Sequence, residues 1–437
     1  MSNSNSSATN GFDQFGLHDS IMRGIHQAGF KNPRPIQAAT IPAGLEGRDV
    51  LGLAQTGTGK TAAFGLPIIQ RLITGPRIGP RALILAPTRE LATQIATEIS
   101  GLSRFTRVTG TTIYGGVSQR TQMKALRQLP DIVVGCPGRV LDLLQQGELH
   151  LDQVETLVLD EADHMFDMGF LRDIRKIIAS LPPQRQNLLF SATMPKEIRG
   201  LADELLNSPQ VAELASTSPA NTIDHALIMV AERRKRDLLE WVLNGEDCNS
   251  AIVFTRTKHR ARRLADQLNK VGYKAVGLQG NMSQAQRDRA MLGFRDRRFN
   301  ILVATDIVAR GIDVSGVSHV INFDVPNTPE AYTHRIGRTG RAELEGIACT
   351  FVTGEDHSWL RATEKMIGST IARRQVSGFE AEPEIKVVKG RTGQGQKRSP
   401  ARGGPGRSYG RSEQSGGQPQ GRHRNEAGAG RRRRRAS

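Results

Sequence analysis

Cysteine is scarce in this chain of 437 residues: Cys136, Cys248 and Cys349 stand far apart and form no Cys-x-x-Cys pair. An odd, scattered set argues against a disulfide framework or a zinc site and fits a reducing cytosol. Aromatic residues make up only 5% of the chain, so a base-stacking platform of the RRM or OB kind is not expected. No stretch approaches the roughly eighteen apolar residues that a membrane helix needs. The Ser/Asn-rich start, Met1 to Asn10, has neither a basic n-region nor an apolar h-region, so no signal peptide is expected. A soluble cytoplasmic protein without a membrane partner is the expectation.

Acidic residues are nearly missing from one end. From Lys386 onward fifteen Lys/Arg face only Glu413 and Glu426, which accounts for +13 of the formal +17 and leaves +4 for the rest. The body is near neutral and the tail is a polycation, which points to a polyanionic partner. Gly, Arg, Ser, Gln and Pro dominate residues 381–437 with almost no aliphatic side chains, so this segment is expected to be disordered. Its Arg402-Gly403-Gly404, Gly406-Arg407, Gly410-Arg411 and Arg431 to Arg435 would act as a non-specific phosphate tether rather than only as a solubilising extension.

The remaining length suits two domains. Residues 1–11 read as a disordered leader, 12–208 as a first α/β domain, 209–222 as a proline-punctuated linker and 223–380 as a second α/β domain. Short apolar runs alternate with helical patterns, as expected of parallel sheets covered on both faces. The first domain should hold strands at 49–54, 82–86, 112–114, 131–135, 156–160 and 187–191, and helices such as Arg89–Leu102 and Gly169–Ala179. Pro67 should kink the helix after the glycine-rich loop or end it early. The second should hold strands at 250–255, 274–278, 300–304, 319–323 and 348–353, echoing the first without a glycine-rich loop of its own.

Two motifs carry chemistry. Ala54-Gln55-Thr56-Gly57-Thr58-Gly59-Lys60-Thr61 follows a strand and opens a helix. Gly57 and Gly59 let the backbone wrap a β-phosphate, Lys60 reaches the β/γ oxygens, and the Thr61 hydroxyl can ligate Mg²⁺. About a hundred residues later the apolar run Thr156-Leu157-Val158-Leu159 ends in Asp160-Glu161-Ala162-Asp163. One carboxylate, Asp160, would hold hydrated Mg²⁺, and its neighbour Glu161 would orient or deprotonate the attacking water. Together the motifs describe a Mg²⁺-nucleotide hydrolysis site.

These residues resemble the DEAD-box RNA helicases, whose motifs follow in order over roughly residues 12 to 355. The overall look, a compact two-domain core with an Arg/Gly-rich tail, is most similar to the bacterial RhlE-like subgroup. The resemblance implies two RecA-like domains in tandem. It implies that Phe12 and Gln37, within Gly29 to Gln37, read adenine beside Gln55, Thr56, Gly57, Thr58, Gly59, Lys60 and Thr61, with Asp313 at the ribose. It implies that Asp163, Ser191, Thr193, His334 and Arg335 couple the ATP state to RNA. RNA would meet Pro87, Thr88, Arg89, Gly115, Gly116, Pro137, Gly138, Arg139, Arg256, Gln284, Arg287 and Thr305, mainly through its backbone. Arg34 departs from a usual Thr or Ser, Cys136 from Thr, and Gln279-Gly280-Asn281 from His-Gly-Asp.

Arg335, Arg338 and Arg341 are three apart, so on a helix they would share a face. The first domain offers only Lys60 to the phosphates. Arg338 and Arg341 can therefore serve as arginine fingers from the second domain, a role worth about 10³–10⁵ in rate. The expected activity is an ATP-dependent RNA helicase that separates short duplexes locally or remodels RNA–protein complexes. An ATP-gated RNA clamp and a DNA helicase are the alternatives. No motif names a ribosomal or RNA-decay assembly as partner.

Overall fold

The computed structural model describes residues 11–55, 57–214, 223–306, 317–340 and 345–379. In the first half the apolar runs form β1 (Val50–Leu53), β2 (Ala82–Leu85), β3 (Gly110–Ile113), β4 (Ile132–Gly135), β5 (Thr156–Leu159), β6 (Gln186–Ser191) and β7 (Gln210–Glu213). They pair in the order β3-β4-β2-β5-β6-β1-β7, every neighbour parallel. The second half forms β8 (Ile223–Met229), β9 (Ala251–Phe254), β10 (Ala275–Leu278), β11 (Ile301–Ala304), β12 (His319–Asn322), β13 (Gly346–Val352) and β14 (Ala372–Arg374). Its order is β10-β11-β9-β12-β13-β8-β14, again all parallel. Counted from their own first strands, the two sheets have the same strand order. The expected echo is thus a shared topology, strand for strand.

The alternation of side chains along a strand explains why these runs are apolar throughout. Ala82, Ile84, Val158 and Leu188 pack into one core, while Leu83, Leu85, Leu157 and Leu189 pack into another on the opposite face. In the second sheet Ile252, Phe254 and Leu302 divide from Ala251, Val253 and Ile301 in the same way. Both faces are covered, so the central strands are mostly apolar, and buried polar strand residues such as Asn322 and Thr350 are paired with each other, at 2.9 Å. The ligand-bearing residues consequently collect where the central strands run out, at the carboxyl edge.

Three local expectations are corrected. The start of the expected linker, 209–214, is taken up by β7, which pairs with β1 at the sheet edge. Only Ala212 of β7 is buried, so the run looks like a connector in sequence. The helix after the glycine-rich loop does not end early at Pro67 but runs on to Leu72. Pro67 is held by packing: a Cβ on Gly44 of the neighbouring helix would lie 2.8 Å from its ring. The third correction is at the arginines, where the helix Pro329–Ile336 stops at Gly337, so Arg338 does not share a helix face with Arg335. Thr56, residues 215–222, Asp313, Arg341, the leader up to Asn10 and the basic tail from Glu380 lie outside the described residues. Among the described residues no helix is long and apolar enough to cross a membrane.

Candidate active site and nucleic-acid interface

The glycine-rich loop leaves β1 beside the end of β6, where Leu53 pairs with Ser191. Gly57 and Gly59 adopt φ 84° and 91°, which a side chain would resist. At Gly59 a Cβ would also lie 2.5 Å from the Gln37 amide nitrogen, so the loop and the helix beginning at Pro35 require glycine there. Thr58 Oγ1 donates to the Gln55 carbonyl at 2.8 Å. Lys60 opens the helix almost fully buried, donates to the Ala54 carbonyl at 3.1 Å and lies 3.6 Å from Asp160 Oδ1. Thr61 follows it in the first helical turn.

Gln37 is a brace as well as an adenine candidate. Its carbonyl accepts from Arg34 N at 2.8 Å and its amide donates to Gly59 O at 3.0 Å. One lone pair and one N–H remain, which is what the N6 and N7 edge of adenine asks for. The Arg34 guanidinium donates to Gly57 O at 2.5 Å, so the departure from Thr or Ser supplies a contact of its own to the loop. Phe12 is fully buried against Phe15 and Phe30. Its ring belongs to the same core as Ile36, and the half-buried Phe30 stands nearer the surface.

At the end of β5, Asp160 is 2% exposed, and burial is what raises its pKa. Its oxygen accepts from Glu161 N at 3.0 Å. Glu161 takes the left-handed conformation, φ 54° and ψ 53°, immediately before the helix Ala162–Asp167. Burial pushes its carboxyl up, but a hydrogen bond from His164 and the charges of Lys60 and Arg338 hold it well below the usual carboxylate range. Asp160 and the Thr61 hydroxyl form an all-oxygen donor set beside the loop. Mg²⁺ takes one or two protein oxygens and completes its shell with phosphate and water, so these residues fit it.

Asp163 begins a polar chain that leaves the site. Its Oδ2 accepts from Thr193 N at 2.9 Å and Thr193 Oγ1 at 2.8 Å. Asp163 N donates to Ser191 Oγ at 3.2 Å, and that hydroxyl donates to Thr193 O at 2.8 Å. From the second half His334 Nε2 comes to 3.8 Å from the same Asp163 oxygen. Of the five expected coupling residues, Asp163, Ser191, Thr193 and His334 lie together, whereas Arg335 is held elsewhere.

Arg335 is a brace. It makes a two-pronged pair with Asp306 at 2.5 and 2.8 Å and donates to Asn322 Oδ1 at 3.0 Å and Asp324 O at 2.7 Å. Its guanidinium lies 4.9 Å from the Phe254 ring centre. Arg338, 4% exposed, is the one whose charge reaches Glu161.

The residues expected to face RNA line the same edge of both sheets. Pro87 is buried, and the Thr88 hydroxyl caps the helix Arg89–Leu102 by accepting from Leu91 N at 3.3 Å. Arg89 lies so close over Gly116, at φ 75°, that any Cβ there would collide with its guanidinium. Gly115 adjoins this turn, and Pro137 and exposed Gly138 open the next helix. Arg139 pairs with Asp142 at 3.2 Å and keeps a buried Nη1 without a hydrogen-bond partner among the described residues. Arg256 is exposed and Thr305 buried at the end of β11. Burial pushes the Cys136 thiol up to about 12, which makes it an inert packing residue rather than a nucleophile.

Arg287 is placed differently from a free phosphate contact. Its Nη2 lies 2.9 Å from Glu90 Oε1, an ion pair that joins the second half to the first. The neighbouring Gln284 donates to Asp288 at 2.8 Å. Glu90 belongs to the motif Pro87-Thr88-Arg89-Glu90-Leu91, but a first-turn acid is ordinary at a helix start, so the sequence assigns it no role of its own. Both members are largely buried, so losing either leaves an unpaired charge, at a cost of about 3–5 kcal/mol in the joined state. Glu90→Arg or Arg287→Glu alone should weaken RNA binding in a non-hydrolysable ATP analogue by at least roughly tenfold, and the double exchange should recover much of it. Equal affinities for all three variants, measured by fluorescence anisotropy, would remove the pair from the joined state.

Comparison with known proteins bears on the same residues. The family model described as DEAD/DEAH box helicase matches residues 34–201, and that of the helicase conserved C-terminal domain matches 234–343. The chain is 47% identical over 355 residues to the ATP-dependent RNA helicase CshA of Listeria monocytogenes, covering 81% of this chain and 68% of that one. It is 46% identical over 383 residues to the CshA of Geobacillus kaustophilus, covering 86% and 82%. Among solved structures, S. cerevisiae Dbp5 bound to RNA and ADP BeF3 superposes with a TM-score of 0.76 at 33% identity, covering 84% and 96%. The relatives matched at 43–47% identity carry the CshA name, which overturns the expected RhlE-like placement. A compact core with a basic tail describes more than one subgroup, so that look could not decide between them. With its phosphate loop and acidic strand end side by side and the charge of Arg338 reaching Glu161, the chain belongs to the DEAD-box family of ATP-dependent RNA helicases, is CshA-like within it, and hydrolyses ATP and acts on RNA.

Proposed function

We propose that ATP and RNA together hold the two halves against each other, that this joined form distorts a short duplex locally, and that hydrolysis releases it. The observation that carries this reading is the polar chain from Asp163 through Ser191 and Thr193 to His334, with the Arg287–Glu90 pair on the RNA side. Contacts present only in the joined form are what can couple two ligands, because each then favours the state the other needs.

In the hydrolysis step Lys60 neutralises the β/γ-phosphates, Glu161 orients the attacking water and takes its proton, and Arg338 meets the γ-phosphate from the second half. Arg341 would stand beside it, and Asp313 at the ribose. Asp160 and Thr61 would hold Mg²⁺, in part through water, and that ion would supply charge neutralisation at the phosphates. Gln37 selects adenine. Arg89, Arg139, Arg256 and the glycine turns at 115–116 and 138 grip the RNA backbone and its 2′-hydroxyls, so binding is largely independent of sequence. The domain limits that fit the sheets are 12–214 and 223–380, with the cytoplasm as the working compartment.

A labelled short RNA duplex beside a single-stranded RNA of the same composition tests this. ATP should drive strand release and slow the off-rate of the single strand, and a matched DNA should activate the ATPase far less. A slowed off-rate without any strand release would identify an RNA clamp, and equal activation by DNA would overturn the RNA assignment.

A further inference from the structure

The helix that follows the acidic strand end carries a residue that none of these roles uses. His164 is 2% exposed, and its Nδ1 lies 3.3 Å from Glu161 Oε2. The other ring nitrogen, Nε2, is also buried and has no hydrogen-bond partner among the described residues. A ring present only to fill space at this position would be better apolar, since a buried unpaired nitrogen is unfavourable. What the imidazole gains there is the contact to Glu161.

Glu161 needs such a contact. Its backbone is in the left-handed region, so its side chain leaves the chain in a direction that ordinary rotamer preferences do not fix. A carboxylate rotates freely about its last bond unless one oxygen is held. Tying Oε2 fixes that rotation and with it the place of Oε1. His164 sits one helical turn after Glu161, the spacing at which two side chains meet. With a carboxylate as acceptor, the hydrogen of this bond is on Nδ1.

We propose that His164 is a positioning residue for hydrolysis, aiming the Glu161 carboxylate at the attacking water through an Nδ1–H bond to Oε2. The inference rests on Glu161 being the water-activating group. It concerns kcat: the bonds of His164 run to Asp163 and Glu161 rather than to the loop, so ATP binding should not depend on it.

Three substitutions separate positioning from packing. In Asn the side-chain amide nitrogen occupies the place of Nδ1, in Gln it lies nearer the place of Nε2, and Leu fills similar volume with no donor. His164→Leu should lower kcat at saturating RNA by roughly tenfold to a hundredfold, the range expected for losing a hydrogen bond to a charged group, with KM for ATP unchanged. His164→Asn should restore much of the loss and His164→Gln should not. In a Glu161→Gln background, His164→Leu should add no further loss, because both changes act through one carboxylate. Thermal midpoints and binding of a fluorescent ATP analogue show that each variant is folded. Parental kcat in His164→Leu, or an Asn variant no better than Leu, would overturn the proposal. If Glu161→Gln alone kept full turnover, the reading of Glu161 as the water-activating group would be the part that failed.

Discussion

Glu161→Gln should give a protein that binds ATP and RNA together and hardly lets go of either. The substitution keeps the size of the side chain, and its amide can still accept from His164, so the local structure stands. What it loses is the capacity to take a proton from water. General-base catalysis is worth about 10²–10⁴ in rate, and the single-turnover hydrolysis rate should fall by that factor. Because the chain from Asp163 to His334 does not involve the Glu161 carboxylate, the joined state should form as before. Mixing the variant with ATP and labelled RNA, then chasing with unlabelled RNA, should show a strongly lengthened residence time. Hydrolysis at the parental rate would contradict the role assigned to Glu161. Slow hydrolysis with rapid RNA release would mean instead that the carboxylate itself holds the halves together.

Arg338→Ala should produce the second large effect, and a different one. RNA-stimulated turnover should drop by about 10³ or more, the scale on which an arginine finger acts. ATP affinity without RNA should change little, because the loop and Gln37 belong to the first half. Arg335→Ala is the informative contrast. Its guanidinium is held by Asp306, Asn322, the Asp324 carbonyl and the Phe254 ring, and removing it breaks this buried hydrogen-bond network. That variant should melt at a lower temperature, with activity lost through instability. If Arg338→Ala lowered the melting temperature as much and Arg335→Ala did not, the two roles would be exchanged.

The sequence carried the central strands well because each is an unbroken apolar run ended by a motif with its own chemistry. β5 and the Asp160-Glu161 pair are the clearest case. Edge elements were harder: β7 buries one residue and β14 none, so neither has the pattern that marks a strand. Motif residues were legible as a set, while their partners were not. Glu90 lies inside the motif Pro87 to Leu91 and His164 one residue beyond Asp160 to Asp163, and only three-dimensional proximity shows their partners. The arginines show the limit of spacing arguments, since a three-residue interval implies a shared face only while the helix continues, and Gly337 ends it. Gln37 was readable as an adenine contact, yet its bonds to Arg34 and Gly59 appear only once the loop is folded.

The position of β1 bears on how the nucleotide site comes into being on the ribosome. This strand pairs only with β6 and β7, which lie some 135 to 160 residues later in the chain. At about 5–20 residues per second of synthesis, the phosphate-loop strand therefore waits on the order of ten seconds with both edges unpaired. Until Gln186–Ser191 emerges there is no neighbour to set its register, and so no loop geometry for ATP to stabilise. The nascent first half is in that interval an aggregation-prone, nucleotide-blind chain, and ligand cannot assist its folding before nearly half of the protein has been made.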